Sequence, residues 1–120
     1  MKPQKTKIKP SHRPKKRYLL FEIKQSSGIA SSIVRTEVLS HFKRFFKEKF
    51  FEKNIWIIGF YEGIGLGILR CSHTAVDEIK VALASFRQLH SNGVKTSVLL
   101  SSGSIKKIKE RIKRLSSLRT

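Results

Sequence analysis

Eight cations crowd the first 17 positions: Lys2, Lys5, Lys7, Lys9, Arg13, Lys15, Lys16 and Arg17, with no carboxylate among them. Six more, Lys106, Lys107, Lys109, Arg111, Lys113 and Arg114, stand near the C-terminus against Glu110 alone. The chemistry open to such runs is phosphate neutralisation. Each Lys or Arg that settles on a polyanion releases condensed counterions, which requires charge density and no catalytic geometry. The chain carries 26 Lys+Arg and 8 Asp+Glu, a formal +18 on 120 residues. Uncompensated, that charge repels itself and opposes a compact monomer. A nucleic-acid partner is the reading.

Other chemistries find little material. Of the eight carboxylates, Glu37, Glu48, Glu52, Asp77, Glu78 and Glu110 fall on predicted helix surfaces or ends, where solubility and capping account for them. His12, His41, His73 and His90 are scattered, with no nucleophile or acid placed to work with them. Cys71 and His73 sit two apart, but no second pair completes a four-ligand zinc site. A single cysteine also excludes an internal disulfide and suits a reducing compartment. Gly63, Gly65 and Gly67 alternate at the start of a strand. A nucleotide-binding loop needs its glycines between a strand and a helix N-terminus, so these suit a bulge or close packing. The sequence therefore points to a chain that is non-catalytic on its own and binds neither metal nor cofactor.

These residues must be carried by a small fold. Residues 1–16 hold all three prolines, Pro3, Pro10 and Pro14, and lack periodicity, as expected of a basic arm that orders on a partner. The arm precedes a single domain over 17–115 and a short tail over 116–120. Leu19, Phe21 and Ile23 alternate with Tyr18, Leu20, Glu22 and Lys24, the period of a strand. Val34, Val38, Leu39, Phe42, Phe45, Phe46 and Phe50 recur at helical spacing and predict a helix over 31–51, capped by Ser31 or Ser32.

Strands over 54–61 and 64–71 follow, joined at Glu62-Gly63. A second helix starts near 72–74, with Thr74 and Asp77 at capping-box spacing. Its stripe is Val76, Ile79, Leu83, Phe86 and Leu89, and Asn92-Gly93 ends it. A strand over 94–100 precedes Ser102-Gly103-Ser104. That turn can cap a last helix with Ile105, Ile108, Ile112 and Leu115 on one face. The longest apolar tract, 55–69, contains Glu62 and four glycines and is too short for a membrane span, and the Tyr18–Phe21 run is too short for a secretory leader. A cytoplasmic location is the expectation.

The order β-α-β-β-α-β plus a terminal helix predicts an α+β fold, a ferredoxin-like or RRM-like sandwich with an antiparallel sheet. Its open face would normally be wet. Here Tyr18, Leu20 and Trp56 make it apolar, so either the terminal helix or a protein partner must cover it, and these three are the candidate partner-binding residues. The third strand, 64–70, lacks an aromatic. Base stacking in the usual RRM manner is therefore not expected. Phosphate contact with a folded RNA, through the arm and terminal helix, is.

Three stretches carry a family likeness: Arg13-Pro14-Lys15-Lys16-Arg17-Tyr18-Leu19-Leu20-Phe21-Glu22-Ile23, the run from Gly67-Ile68-Leu69-Arg70-Cys71 to Ala82-Leu83, and Ser102-Gly103-Ser104-Ile105-Lys106-Lys107. In this order and spacing the chain resembles the archaeal ribonuclease P protein component 2 family, related to the small Pop-type subunit of eukaryal ribonuclease P and MRP. The resemblance implies an RRM-like subunit of a ribonucleoprotein endonuclease that removes the 5′ leader of precursor tRNA. In that family the RNA subunit, with its Mg²⁺, holds the catalytic centre. It also implies pairing with ribonuclease P protein component 3, as a heterodimer or a dimer of heterodimers, among other ribonuclease P proteins. Carried onto this chain, Arg13, Lys15, Lys16, Arg17, Lys106 and Lys107 would contact RNA, with Lys109 and Lys113 extending the basic helix. His73 departs from the family, where a basic residue is common after the Arg-Cys pair. The rival reading is a stand-alone RRM-like or ribosome-associated RNA-binding protein. A small phosphatase or nuclease is a third.

Overall fold

A computed structural model describes residues 15–26 and 28–119. The basic arm, Arg13 included, lies outside them except for Lys15 and Lys16. The elements are β1 (Lys16–Lys24), α1 (Ser31–Phe46), a 3₁₀ segment (Lys47–Lys53), β2 (Trp56–Tyr61), β3 (Leu66–Ser72), a 3₁₀ turn (His73–Ala75), α2 (Val76–Ala84), the short strands β4 (Gln88–Leu89) and β5 (Asn92–Gly93), β6 (Lys95–Ser102) and α3 (Ile105–Arg119). The main sheet runs β2-β3-β1-β6, with every neighbouring pair antiparallel. This is the expected RRM-like sandwich with its extra helix.

Period-2 alternation sorts the sheet onto two faces. Leu19, Phe21, Ile23, Ile57, Phe60, Leu69 and Cys71 face α1 and α2, meeting Val34, Val38, Phe42, Ile79 and Leu83 in the larger core. Leu20, Leu66 and Ile68 face the other way and are buried by Ile108 and Ile112 of α3, with Ile58, Leu99 and Leu100 packed around them. The terminal helix thus supplies the cover that the apolar second face demands. Bulges at Ile58 on β2 and Leu99 on β6 bring those extra side chains to the α3 side.

Gly67 lies directly across from Phe21, whose ring occupies the space a side chain there would take: a Cβ on Gly67 would stand 2.4 Å from Phe21 Cζ. Of the alternating glycines, Gly67 and Gly65 are close-packing positions, the latter 2.8 Å from Ile23 O by the same measure, whereas Gly63 stands in open space. An aromatic ring, and not a helix, is what approaches Gly67.

Several boundaries differ from the periodicity. α1 stops at Phe46 because Lys47 adopts φ 55°, and the chain continues as a 3₁₀ segment that buries Phe50 and leaves Phe51 80% exposed. No Ser caps α1; the first-turn N–H of Ser31 is met by Glu62 Oε2 at 2.8 Å, a carboxylate from the β2–β3 turn placed at the positive helix end. Thr74 and Asp77 form no capping box, since the residue preceding α2 is Ala75 with no side-chain cap.

α2 ends at Ala84, before Phe86 and Leu89. Those two are buried by a small hairpin whose turn, His90-Ser91, has φ 51° and 69°. Both turn residues in this left-handed region match a type I′ hairpin, here without the usual Asn or Gly. Glu37 of α1 holds the turn: its Oε1 accepts the His90 N–H at 2.8 Å, and its Oε2 lies 3.7 Å from His90 Nδ1. The final turn behaves as its sequence suggests. Ser104 Oγ accepts the Lys107 N–H at 3.4 Å, and α3 runs on to Arg119, beyond the domain limit expected at 115.

Candidate nucleic-acid interface

The start of β1 and the start of α3 meet at one corner. Tyr18 pairs with Ser102 across β1 and β6, so the turn into α3 stands beside Arg17. A guanidinium nitrogen of Arg17 lies 3.4 Å from where a Cβ on Gly103 would be, so the side chain rests on that bare turn. Lys106 and Lys107 follow in the first turn of α3, both exposed, with no acid there to offset them. Cations at a helix N-terminus oppose the helix dipole in isolation; beside a phosphate, they and the free N–H groups act together.

On α3, the apolar stripe Ile108 and Ile112 is spent on the sheet. The exposed Lys106, Lys109 and Lys113 sit at positions i, i+3 and i+7, on one helix face. Lys15 and Lys16 are likewise exposed. Lys15 is fixed through its carbonyl oxygen, which accepts the His73 backbone N–H at 2.8 Å and lies 3.2 Å from His73 Nδ1. A carbonyl oxygen only accepts, so the ring contact is a hydrogen bond in the tautomer that carries its proton on Nδ1. The structure thus brings Lys15, Lys16, Arg17, Lys106 and Lys107 to one corner, with Lys109 and Lys113 continuing along α3.

The three residues expected to meet a partner do not share one fate. Leu20 is fully buried beneath α3, which corrects its assignment: of the two possible covers, the terminal helix is the one that meets it, through Ile108 and Ile112. Tyr18 is half-buried against the same cluster. Trp56 is 60% exposed.

Sequence reasoning missed Arg70. It pairs with Tyr18 on one side and Trp56 on the other, and alternation puts all three on the α3 face. The signal was present in β3, where Leu66, Ile68 and Arg70 share a period-2 set, but only the strand register shows which aromatics flank the arginine.

The other titratable groups serve the fold. Arg35 Nη2 donates to Ile58 O at 2.9 Å, tying α1 to β2. His41 Nε2 lies 2.7 Å from Ala82 O and 2.9 Å from Ser85 Oγ, with Phe86 edge-on at 5.3 Å, joining α1 to the end of α2. Lys53 pairs with Glu78 at 2.6 Å. Burial pushes the Cys71 thiol up to about 11, although the nearby Arg17 charge acts the other way. It is a neutral core thiol near pH 7, neither nucleophile nor ready ligand. Among the described residues, no three His, Cys, Asp or Glu side chains gather as a metal site, and no helix is long and apolar enough to cross a membrane.

The chain has relatives in sequence and in fold. A protein named ribonuclease P protein component 2 from Methanosarcina acetivorans is 33% identical over 106 residues, 88% of this chain and 79% of that protein. One of the same name from Methanocaldococcus jannaschii is 31% identical over 106 residues, 85% of this chain and 75% of its own. A chain in the cryo-EM structure of yeast ribonuclease MRP shares the fold with a TM-score of 0.61 at 13% identity, covering 88% of this chain and 97% of that one. The Rpp14/Pop5 family matches residues 17–113, nearly the whole described fold, and the chain belongs to that family.

Proposed function

We propose that this chain is a protein subunit of ribonuclease P, assisting a catalytic RNA in endonucleolytic removal of the 5′ leader from precursor tRNA. The observation that carries the reading is the cationic corner, where Arg17 packs on Gly103 and joins two basic runs far apart in sequence. The relatives named for that enzyme support it. The corner's lysines and arginines would draw phosphates together and stabilise the folded RNA, leaving the chemistry to the RNA. In this scheme the Mg²⁺ of the reaction is held by the RNA.

Arg13, Lys15, Lys16, Arg17, Lys106, Lys107, Lys109 and Lys113 are the proposed RNA contacts. A protein partner of the component 3 kind, in a heterodimer or a pair of them, would sit away from Leu20, because α3 fills that part of the sheet. The work is proposed for the cytoplasm.

Precursor-tRNA cleavage by the cognate ribonuclease P RNA at modest Mg²⁺ tests this, with this chain, its component 3 partner, both or neither. The expected result is rescue that requires the RNA and is strongest with both proteins. Tight RNA binding without rescue would leave a stand-alone RNA-binding protein. Binding should be strongly salt-sensitive: ~5 phosphate contacts give log affinity a slope of roughly −3.5 to −4.5 against log salt.

A further inference from the structure

The exposed Trp56 is unexplained by phosphate contact. A 60% exposed indole on a sheet face is an apolar surface without cover, at the β2 edge of that face. α3 lies over the β1 and β6 side, burying Leu20, while Ser102 in the same row is 9% exposed. Along the row the burial falls from Ser102, through the half-buried Tyr18 and Arg70, to the exposed Trp56. Directly paired residues stand about 5 Å apart, so Arg70 springs from the sheet between the two aromatics. Lys16 stands two residues before Tyr18 on the same face, and the row itself contains no carboxylate.

We propose that Trp56 is a stacking platform for one unpaired RNA base, with Arg70 taking the phosphate beside it. The proposal rests on the RNA-binding reading and adds a single-stranded segment to what the chain recognises. Every nucleobase has an apolar π face suited to the indole, and the neighbouring cations suit the phosphates beside it. A purely apolar protein surface over Trp56 would leave Arg70 and Lys16 unpaired, since the row has no acid. Tyr18, packed against the α3 cluster, supports Arg70 from its far side.

Trp56 is the chain's one tryptophan, so its fluorescence reports the site directly. The full chain would be titrated with a seven-nucleotide oligouridylate and with a blunt RNA duplex, while anisotropy of labelled RNA follows binding independently. Saturable quenching by the single strand, with duplex binding that leaves the indole unquenched, is expected. Trp56→Leu should weaken oligouridylate binding roughly 5- to 100-fold, the range of one base–aromatic stack, and Trp56→Phe should restore most of it.

The two residues also separate by salt. Arg70→Ala should flatten the single-strand salt slope by about 0.7, whereas Trp56→Leu should leave it unchanged. Oligouridylate binding without quenching, or with Trp56→Leu at wild-type affinity, overturns the platform while sparing the RNA-binding reading. A fluorescence change on adding component 3 alone, with none on adding RNA, assigns the site to protein and also overturns it. Failure to bind either RNA removes both readings.

Discussion

Gly67→Ala should unsettle the β1–β3 pairing that sets Arg70 beside Tyr18. The new Cβ would lie 2.4 Å from Phe21 Cζ and 2.8 Å from both Cε atoms, whereas ordinary contact begins at 3.4 Å. The ring must therefore move by about 1 Å. It has nowhere easy to go: Phe21 is fully buried and lies against the Phe60 ring, centroids 6.3 Å apart and 27° from parallel. Overpacking of this kind costs about 1–3 kcal/mol, and replacing a strand glycine returns roughly 0.5–1 kcal/mol of backbone entropy. The net expected loss is about 1–2 kcal/mol.

If the ring is the obstacle, shortening it removes the penalty. Phe21→Leu alone should cost about 1–2 kcal/mol, and the double variant little more, giving a coupling of about 1–2 kcal/mol between the positions. Urea unfolding followed by circular dichroism reads this as midpoint shifts at constant m-value. Additivity within about 0.5 kcal/mol would refute the close-packing account of Gly67.

Ile108→Ala should cost about 2–4 kcal/mol, because Ile108 is fully buried against the sheet, and should speed amide exchange at Leu20 and Ile68. Unchanged exchange there would mean that α3 is not the cover. Ser104→Ala should destabilise by about 0.5–1 kcal/mol, with Ser104→Asp retaining the cap; equal losses in urea unfolding would discard it. Lys106→Gln combined with Lys107→Gln should flatten the salt slope of RNA binding by about 1.4–1.8, and an unaltered slope removes both from the interface.

Cys71 makes a pH prediction. Its thiol is raised from 9.0 to about 11 in the fold, so between those values the unfolded chain releases a proton that the native chain keeps. The neutral thiol's contribution to stability is then full below pH 9 and is lost as pH rises towards 11, so Cys71→Ala should lessen the fall in stability measured by unfolding across that range.

What the sequence conveyed well was whatever depends on local repetition. The 2-residue alternation of Leu19, Phe21 and Ile23 and the helical spacing of Val34, Val38 and Phe42 are burial patterns, and the structure buries those residues. The cationic ends needed only counting. What it conveyed poorly depends on a distant residue. Phe86 and Leu89 continue the spacing of Ile79 and Leu83, so a longer α2 was the natural expectation. The chain instead leaves the helix, and the His90-Ser91 turn is tied to Glu37, more than 50 residues away. Glu62 serving as the cap of α1 is the same kind of event. Arg70 was missed because period 2 gives a side chain its face but not its neighbours across the sheet, which only the register supplies.

The covering helix explains why RNA contact should divide as proposed. An RRM-like sheet that leaves its face open can stack bases across its central strands. Here Ile108 and Ile112 occupy that face over β1 and β6, so stacking is sterically lost there. The same helix returns something else, because a stripe that buries isoleucines turns Lys106, Lys109 and Lys113 outward. On this reading a face that could stack bases is exchanged for one that meets phosphates, and the β2 edge, where Trp56 is exposed, is left for the proposed stack. The two modes differ in salt dependence, so phosphate variants should change the slope of binding against salt while Trp56 variants change its level. A chain in which both sets of variants moved the slope alike would not have this division, and the placement of α3 would then explain only stability.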